Sequence, residues 1–232
     1  VRRLAANTVG APRGGVLTIP AFYRRFTGCP GVPPENLAWL AVPEYALACA
    51  VSGAVFSDPL GEFSKIRAQL AKGYPEDVRR KKTAARAIEM AQAGQYNYMR
   101  CIRHGEAGAA RMALHAFCEA ALSMLYLLNR RYMPFYKWAL RGARELPRLQ
   151  GLADSLETLL CSGGAPSGAA ANQALIEQIC ACIAAELRAQ GLSAEHCDYL
   201  EPHAFSVFSG ITAANTPGRR RSGVARFVSG ER

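Results

Sequence analysis

The densest set of residues able to do chemistry runs from Met90 to Arg100, Met-Ala-Gln-Ala-Gly-Gln-Tyr-Asn-Tyr-Met-Arg. Gln92, Gln95, Tyr96, Tyr98 and Arg100 bring amides, phenols and a guanidinium into one helical stretch. Gln92, Gln95, Tyr96 and Met99 share one side of an α-helix, at i, i+3, i+4 and i+7. Such a face can hydrogen-bond and stack on a ligand, or it can form a buried amide network that fixes helix register. Gly94 costs about 1 kcal/mol relative to Ala in mid-helix. Close approach of another helix or of a ligand explains that cost.

A second set, Asn129-Arg-Arg-Tyr-Met-Pro-Phe-Tyr-Lys-Trp138, lies where one helix should end and the next begin. Arg130, Arg131 and Lys137 sit among four aromatic rings, and amides following Pro134 could add donors for a phosphate or a base. The competing role is a packed helix corner anchored by its aromatics, with Asn129 as a cap. A third set, Arg79, Lys82 and Arg86, shares a helix face at three- and four-residue spacing. It could meet polyphosphate, but a run of this kind is more often a solvated face.

Motifs for complete active sites are missing from the sequence. There is no His-Glu-x-x-His, Gly-x-Gly-x-x-Gly or P-loop, and no Ser or Cys nucleophile motif. The eight Cys form no Cys-x-x-Cys, so zinc is not expected. No metal ligand and no catalytic residue is assigned to this chain. Scattered Cys without a signal-like N-terminus fit a reducing cytosol, which makes cytoplasmic the expected location.

The elements that must position these residues are mostly helical. The chain has 232 residues, half of them hydrophobic and 20% charged, which suits a folded protein. Its net charge of +10 sits largely on the ends. Residues 1–30 carry five Arg and no acid, and residues 216–232 carry five Arg and one Glu. Nucleic-acid binding is therefore the weaker expectation, through nonspecific basic ends. No membrane span is expected. The predicted fold class is mainly α: an antiparallel helical bundle preceded by a small segment with one or two short strands, at Gly15–Ile19 and Ala54–Phe56. Short helices are expected over 21–27, 37–40, 44–50 and 62–72. Longer ones follow over 76–103, 106–129, 135–145 and 149–160, then a linker at 162–171. The last two cover 172–190 and a stretch from Ser193, as cap, to about 209.

Four segments carry a resemblance: Val55–Phe63, Tyr74–Arg79, Ala91–Tyr98 and Leu128–Trp138. They resemble the bacterial family called domain of unknown function 4037, over roughly residues 14–211. That family is similar to minimal and kanamycin-type nucleotidyltransferases, in which a small mixed sheet with Gly-Ser and Asp-x-Asp motifs stands before a helical bundle. The resemblance implies a division into 1–73, the remnant of a nucleotidyltransferase-like α+β segment; 74–215, a helical bundle; and 216–232, a disordered basic tail. It implies that the catalytic half precedes Val1, so that this chain is a piece of a longer protein, inactive alone. Magnesium and a nucleoside triphosphate would serve the full-length protein, with no cofactor in this chain. The expected partners are a nucleotide or small-molecule acceptor and the missing N-terminal domain. The implied substrate-binding residues are Gln95, Tyr98, Arg100, Asn129, Tyr136 and Lys137. The alternative is a non-catalytic helical module that binds a protein partner or a second copy of itself.

Overall fold

The computed structural model describes residues 15–162 and 166–212. The basic ends, including the tail over 216–232, and linker residues 163–165 lie outside the described residues. The chain passes through α1 (Ile19–Thr27), α2 (Asn36–Ala41), α3 (Glu44–Val51), α4 (Glu62–Leu70) and α5 (Glu76–Met90). A π-helical segment, Ala91–Tyr98, follows without a break and leads into α6 (Met99–Arg103). Then come α7 (Ala107–Leu128), α8 (Tyr136–Ala143), α9 (Leu152–Cys161), a 3-10 turn (Pro166–Gly168), α10 (Ala169–Ala189) and α11 (Leu200–Ser209).

Two hydrophobic cores meet at the end of α7. The larger gathers Phe117, Met124 and Leu125 of α7 with Met90 of α5, Leu156 of α9, Ile176 and Ile183 of α10, and Val207 of α11. In the smaller, Tyr23, Trp39, Leu47 and Leu70 of α1–α4 pack with Tyr74 and Val78, and with Leu127 and Tyr132 from the bundle. The Tyr132 hydroxyl donates to the Leu70 carbonyl at 2.6 Å, tying the two layers. By length and composition α7 could cross a membrane, yet 67% of its apolar window is buried inside the protein. It is the bundle's central helix.

The expected strands are absent: among the described residues there is no β-strand. The apolar residues of both segments lack a partner to pair with. Val16 is fully exposed, and Thr18 begins a helix, its hydroxyl accepting from the Ala21 amide at 3.3 Å. Phe56 is likewise almost fully exposed, in an irregular stretch after α3. Arg67 holds that stretch at its start by donating to the carbonyls of Val51 and Gly53.

Several helix boundaries also differ from expectation, the start of the last helix most of all. Residues 193–199 are not helical, and α11 begins at Leu200. A helix capped at Ser193 would bury Pro202 in its interior, where its ring clashes with the preceding turn. Starting at Leu200 places Pro202 in the first turn, whose amides are unpaired in any helix. The linker is shorter than expected, since α10 begins at Ala169.

Candidate functional site

The polar helix 90–100 is a structural hub. In the π segment Gln92, Gln95 and Met99 are half-buried and Tyr96 is exposed, whereas Gly94 and Tyr98 are buried. Gln95 Nε2 donates to Glu177 Oε2 at 2.8 Å and to the Asp198 carbonyl at 3.1 Å. Its Oε1 accepts from the Leu200 amide at 3.0 Å, so it caps α11 from another helix. The Tyr98 hydroxyl accepts from buried Asn172 at 2.9 Å. Arg100 is exposed and donates to the Tyr96 hydroxyl at 2.8 Å. Lys137 is exposed on α8, its ammonium 5.8 Å from the Trp138 ring centre. The structure therefore does not bring the six expected residues together. Two of them, Tyr136 and Asn129, line cavities, and the cavities are different ones.

Tyr136 forms part of a cleft of about 420 Å3 between α3, α5, α7 and the 133–136 turn. Pro43 sets the entry to α3 and leaves Glu44 in its first turn, where a carboxylate is favoured by the helix dipole. The Glu44 carboxylate accepts from Ser123 Oγ, at 3.1 and 3.0 Å to its two oxygens, and lies 3.5 Å from Lys82 Nζ. Lys82 also stands over the Tyr74 ring at 5.2 Å. Burial pushes the Tyr74 phenol far above its ordinary range, and the Glu44 charge adds to the effect. Arg86, one turn beyond Lys82, pairs with Glu89 and keeps its Nε buried without a protein partner. Tyr45 and Phe135 form an edge-to-face pair at 5.8 Å, and Phe135 tilts against Tyr136 at 4.6 Å. The result is a cleft with cations and a carboxylate on its floor and an aromatic rim.

This floor does not suit magnesium. Ser123 and Lys82 already engage Glu44, and among the described residues no three His, Cys, Asp or Glu side chains gather as a metal site. What the floor can do is bind a polar ligand. Glu44 and exposed Glu119 accept from hydroxyl or amino groups, Lys82 and Arg86 donate to anionic ones, and the rim stacks.

Asn129 lines the second cavity, of about 370 Å3, with Arg79, Arg130, Arg148 and Gln190. Its Nδ2 donates to the carbonyls of Leu125 and Arg148, and its Oδ1 accepts from the Arg148 amide. It thus clamps the 144–151 loop to the end of α7. Glu76 collects Arg79, Arg80 and Arg130. Partial burial opposes its charge, but the Arg79 hydrogen bond and the charges of Arg79, Arg130 and Arg80 outweigh this and hold its carboxyl below the usual value. A carboxyl depressed in the folded state stabilises above its unfolded pKa and loses that stability as pH falls through the folded one. Glu76→Gln should accordingly flatten the acid limb of stability. Urea midpoints between about pH 6 and about pH 3 will check this, and an unchanged slope would contradict it.

The Arg79, Lys82 and Arg86 stripe departs from the solvated face that such a run suggests. The Arg79 side chain is 3% exposed and that of Lys82 14%. One end of the stripe lines one cavity and the other end the second. Sequence reasoning did not single out Glu44, Ser123 or Tyr45. A usable signal existed for Ser123, which with Tyr126 is the polar matter in the run Ala120–Leu128.

Neither the curated proteins nor the solved structures yield a match to the chain. Residues 39–139 match the family model described as a domain of unknown function (DUF4037), so every residue lining the Glu44 cleft lies in the part of the chain similar to that family.

Proposed function

We propose that this chain is the helical, acceptor-binding part of a nucleotidyltransferase-like protein and that the Glu44 cleft is its ligand site. The observation that carries the reading is the floor of Glu44, Lys82, Ser123 and Arg86 beneath the aromatic rim of Tyr45, Phe135 and Tyr136. A ligand with hydroxyl or amino donors and an anionic or aromatic portion satisfies all of these groups at once. In this role Glu44 orients a donor, Lys82 and Arg86 neutralise charge, and Tyr136 covers the bound molecule. Nucleotidyl transfer itself would need metal-binding carboxylates outside this cleft.

A thermal-shift scan with nucleoside triphosphates and with polyhydroxylated or amino-bearing compounds tests the reading. A ligand at roughly 100 times its Kd should add about 2.7 kcal/mol of stability. Tyr136 is 77% exposed, so Tyr136→Ala should leave the unliganded melting point in place and remove most of the ligand-induced gain. A gain that survives Tyr136→Ala, or no gain from any compound, would count against the cleft.

One observation favours the interaction module instead. Tyr45, Phe135, Tyr136 and Trp138 are all exposed large aromatics near one another in the fold or sequence. Exposed apolar patches of this kind mark protein contacts. Concentration-dependent self-association that Trp138→Ala abolishes would select that reading over ligand binding.

A further inference from the structure

The second cavity includes a residue in an unusual backbone conformation. Arg130 adopts φ 53°, the left-handed conformation, at the position directly after the α7 cap. The Arg130 amide bonds the Leu127 carbonyl at 3.2 Å and the Arg131 amide bonds that of Tyr126 at 2.9 Å. This is the helix-ending turn in which glycine is the usual occupant. The strain is tolerated although glycine would avoid it. What the arginine adds is a guanidinium, paired to Glu76 at 3.1 Å, on a cavity already lined by Arg79 and Arg148.

Charge in this cluster is unbalanced. Among the described residues, the three cations that line the cavity, Arg79, Arg130 and Arg148, pair with two carboxylates, Glu76 and Glu186, and Glu76 also takes Arg80. Arg79 is fixed from both sides, by two hydrogen bonds to Glu76 and one to Gln190 Oε1 at 3.2 Å. The Asn129 clamp fixes the backbone of Arg148. Arg79 is thus pre-set, while the more exposed Arg130 and Arg148 side chains are each held by one ion pair.

We propose that Arg79, Arg130 and Arg148 form a binding site for a phosphoryl group, distinct from the Glu44 cleft. Guanidinium forks match the oxygens of a phosphate in pairs, and an anion offsets the excess positive charge of the lining. The cavity, of about 370 Å3, leaves room for a small organic group attached to the phosphate. The site stands whether or not the Glu44 cleft binds an acceptor.

Isothermal titration of the full chain with inorganic phosphate and with pyrophosphate tests this, with ionic strength held constant by chloride. Saturable binding is expected for at least one of the two. Arg130→Gly should weaken it by roughly tenfold or more, the effect of losing a charge-assisted contact, while its melting point stays level or rises. Arg148→Gln should weaken binding comparably, and Tyr136→Ala should not. The proposal fails if neither anion binds saturably, if binding survives both arginine variants, or if Arg130→Gly melts lower than the parent chain.

Discussion

Gly94→Ala should destabilise the chain by about 2–3 kcal/mol, although alanine is the better helix former by about 1 kcal/mol. A β-carbon at this position would lie 2.8 Å from Phe117 Cε2 and 2.9 Å from Ile176 Cγ2. Both neighbours are fully buried, and neither is the loose end of a flexible chain. Room could come only from moving α7 or α10 away from the π segment. Loss of that packing would also pull on the Gln95 bridges to Glu177 and Leu200. Gly94→Val adds two more methyl groups at the same contact and should leave the chain without a cooperative transition. Urea unfolding of the alanine variant gives the number, and a neutral or stabilising Gly94→Ala would show that the helices can part without cost.

Glu44→Ala should cost about 2–4 kcal/mol, from two causes. It strands the Lys82 ammonium, whose side chain is 14% exposed, and it removes the acceptor of the buried Ser123 hydroxyl. Full burial would place the loss at the top of that range, and the open mouth of the cleft brings it down by admitting water. Removing Lys82 at the same time should recover part of the loss. A double-mutant cycle of Glu44→Ala with Lys82→Met therefore isolates the pair. A loss below about 0.5 kcal/mol for Glu44→Ala would mean that the pair is solvated and that the cleft floor is not preorganised.

Helices were legible wherever apolar periodicity and end signals agreed. Pro75-Glu76-Asp77 and His104-Gly105 bracket the 76–103 stretch, and Leu114, Phe117 and Leu125 mark the buried side of α7. Gly94 was readable too, as a place where something approaches closely, and the approaching groups are Phe117 and Ile176. The strands were misread because a short apolar run looks the same whether it pairs or precedes a helix. Val16-Leu17 and Val55-Phe56 simply stay exposed, save that Thr18 caps α1.

Function was harder to read because contact across the fold decides it. Gln95 and Asn129 have the chemistry of ligand contacts, but their hydrogen bonds reach Leu200 and Arg148, which spacing along one helix does not disclose. Glu44 and Ser123 are 79 residues apart and meet because the first turn of α3 reaches α7. The family match over residues 39–139 frames the Glu44 cleft without naming its ligand.

The most direct test of the account places a reporter in that cleft. The chain has five Met, at 90, 99, 112, 124 and 133, and Met133 is the one that lines the cleft. A protein labelled with 13C at the methionine methyl groups gives a signal for each. Titration with a compound that stabilises the chain should move the Met133 methyl saturably, and leave exposed Met112 in place. Saturable binding that leaves Met133 unmoved would put the ligand elsewhere and contradict the assignment of the Glu44 cleft.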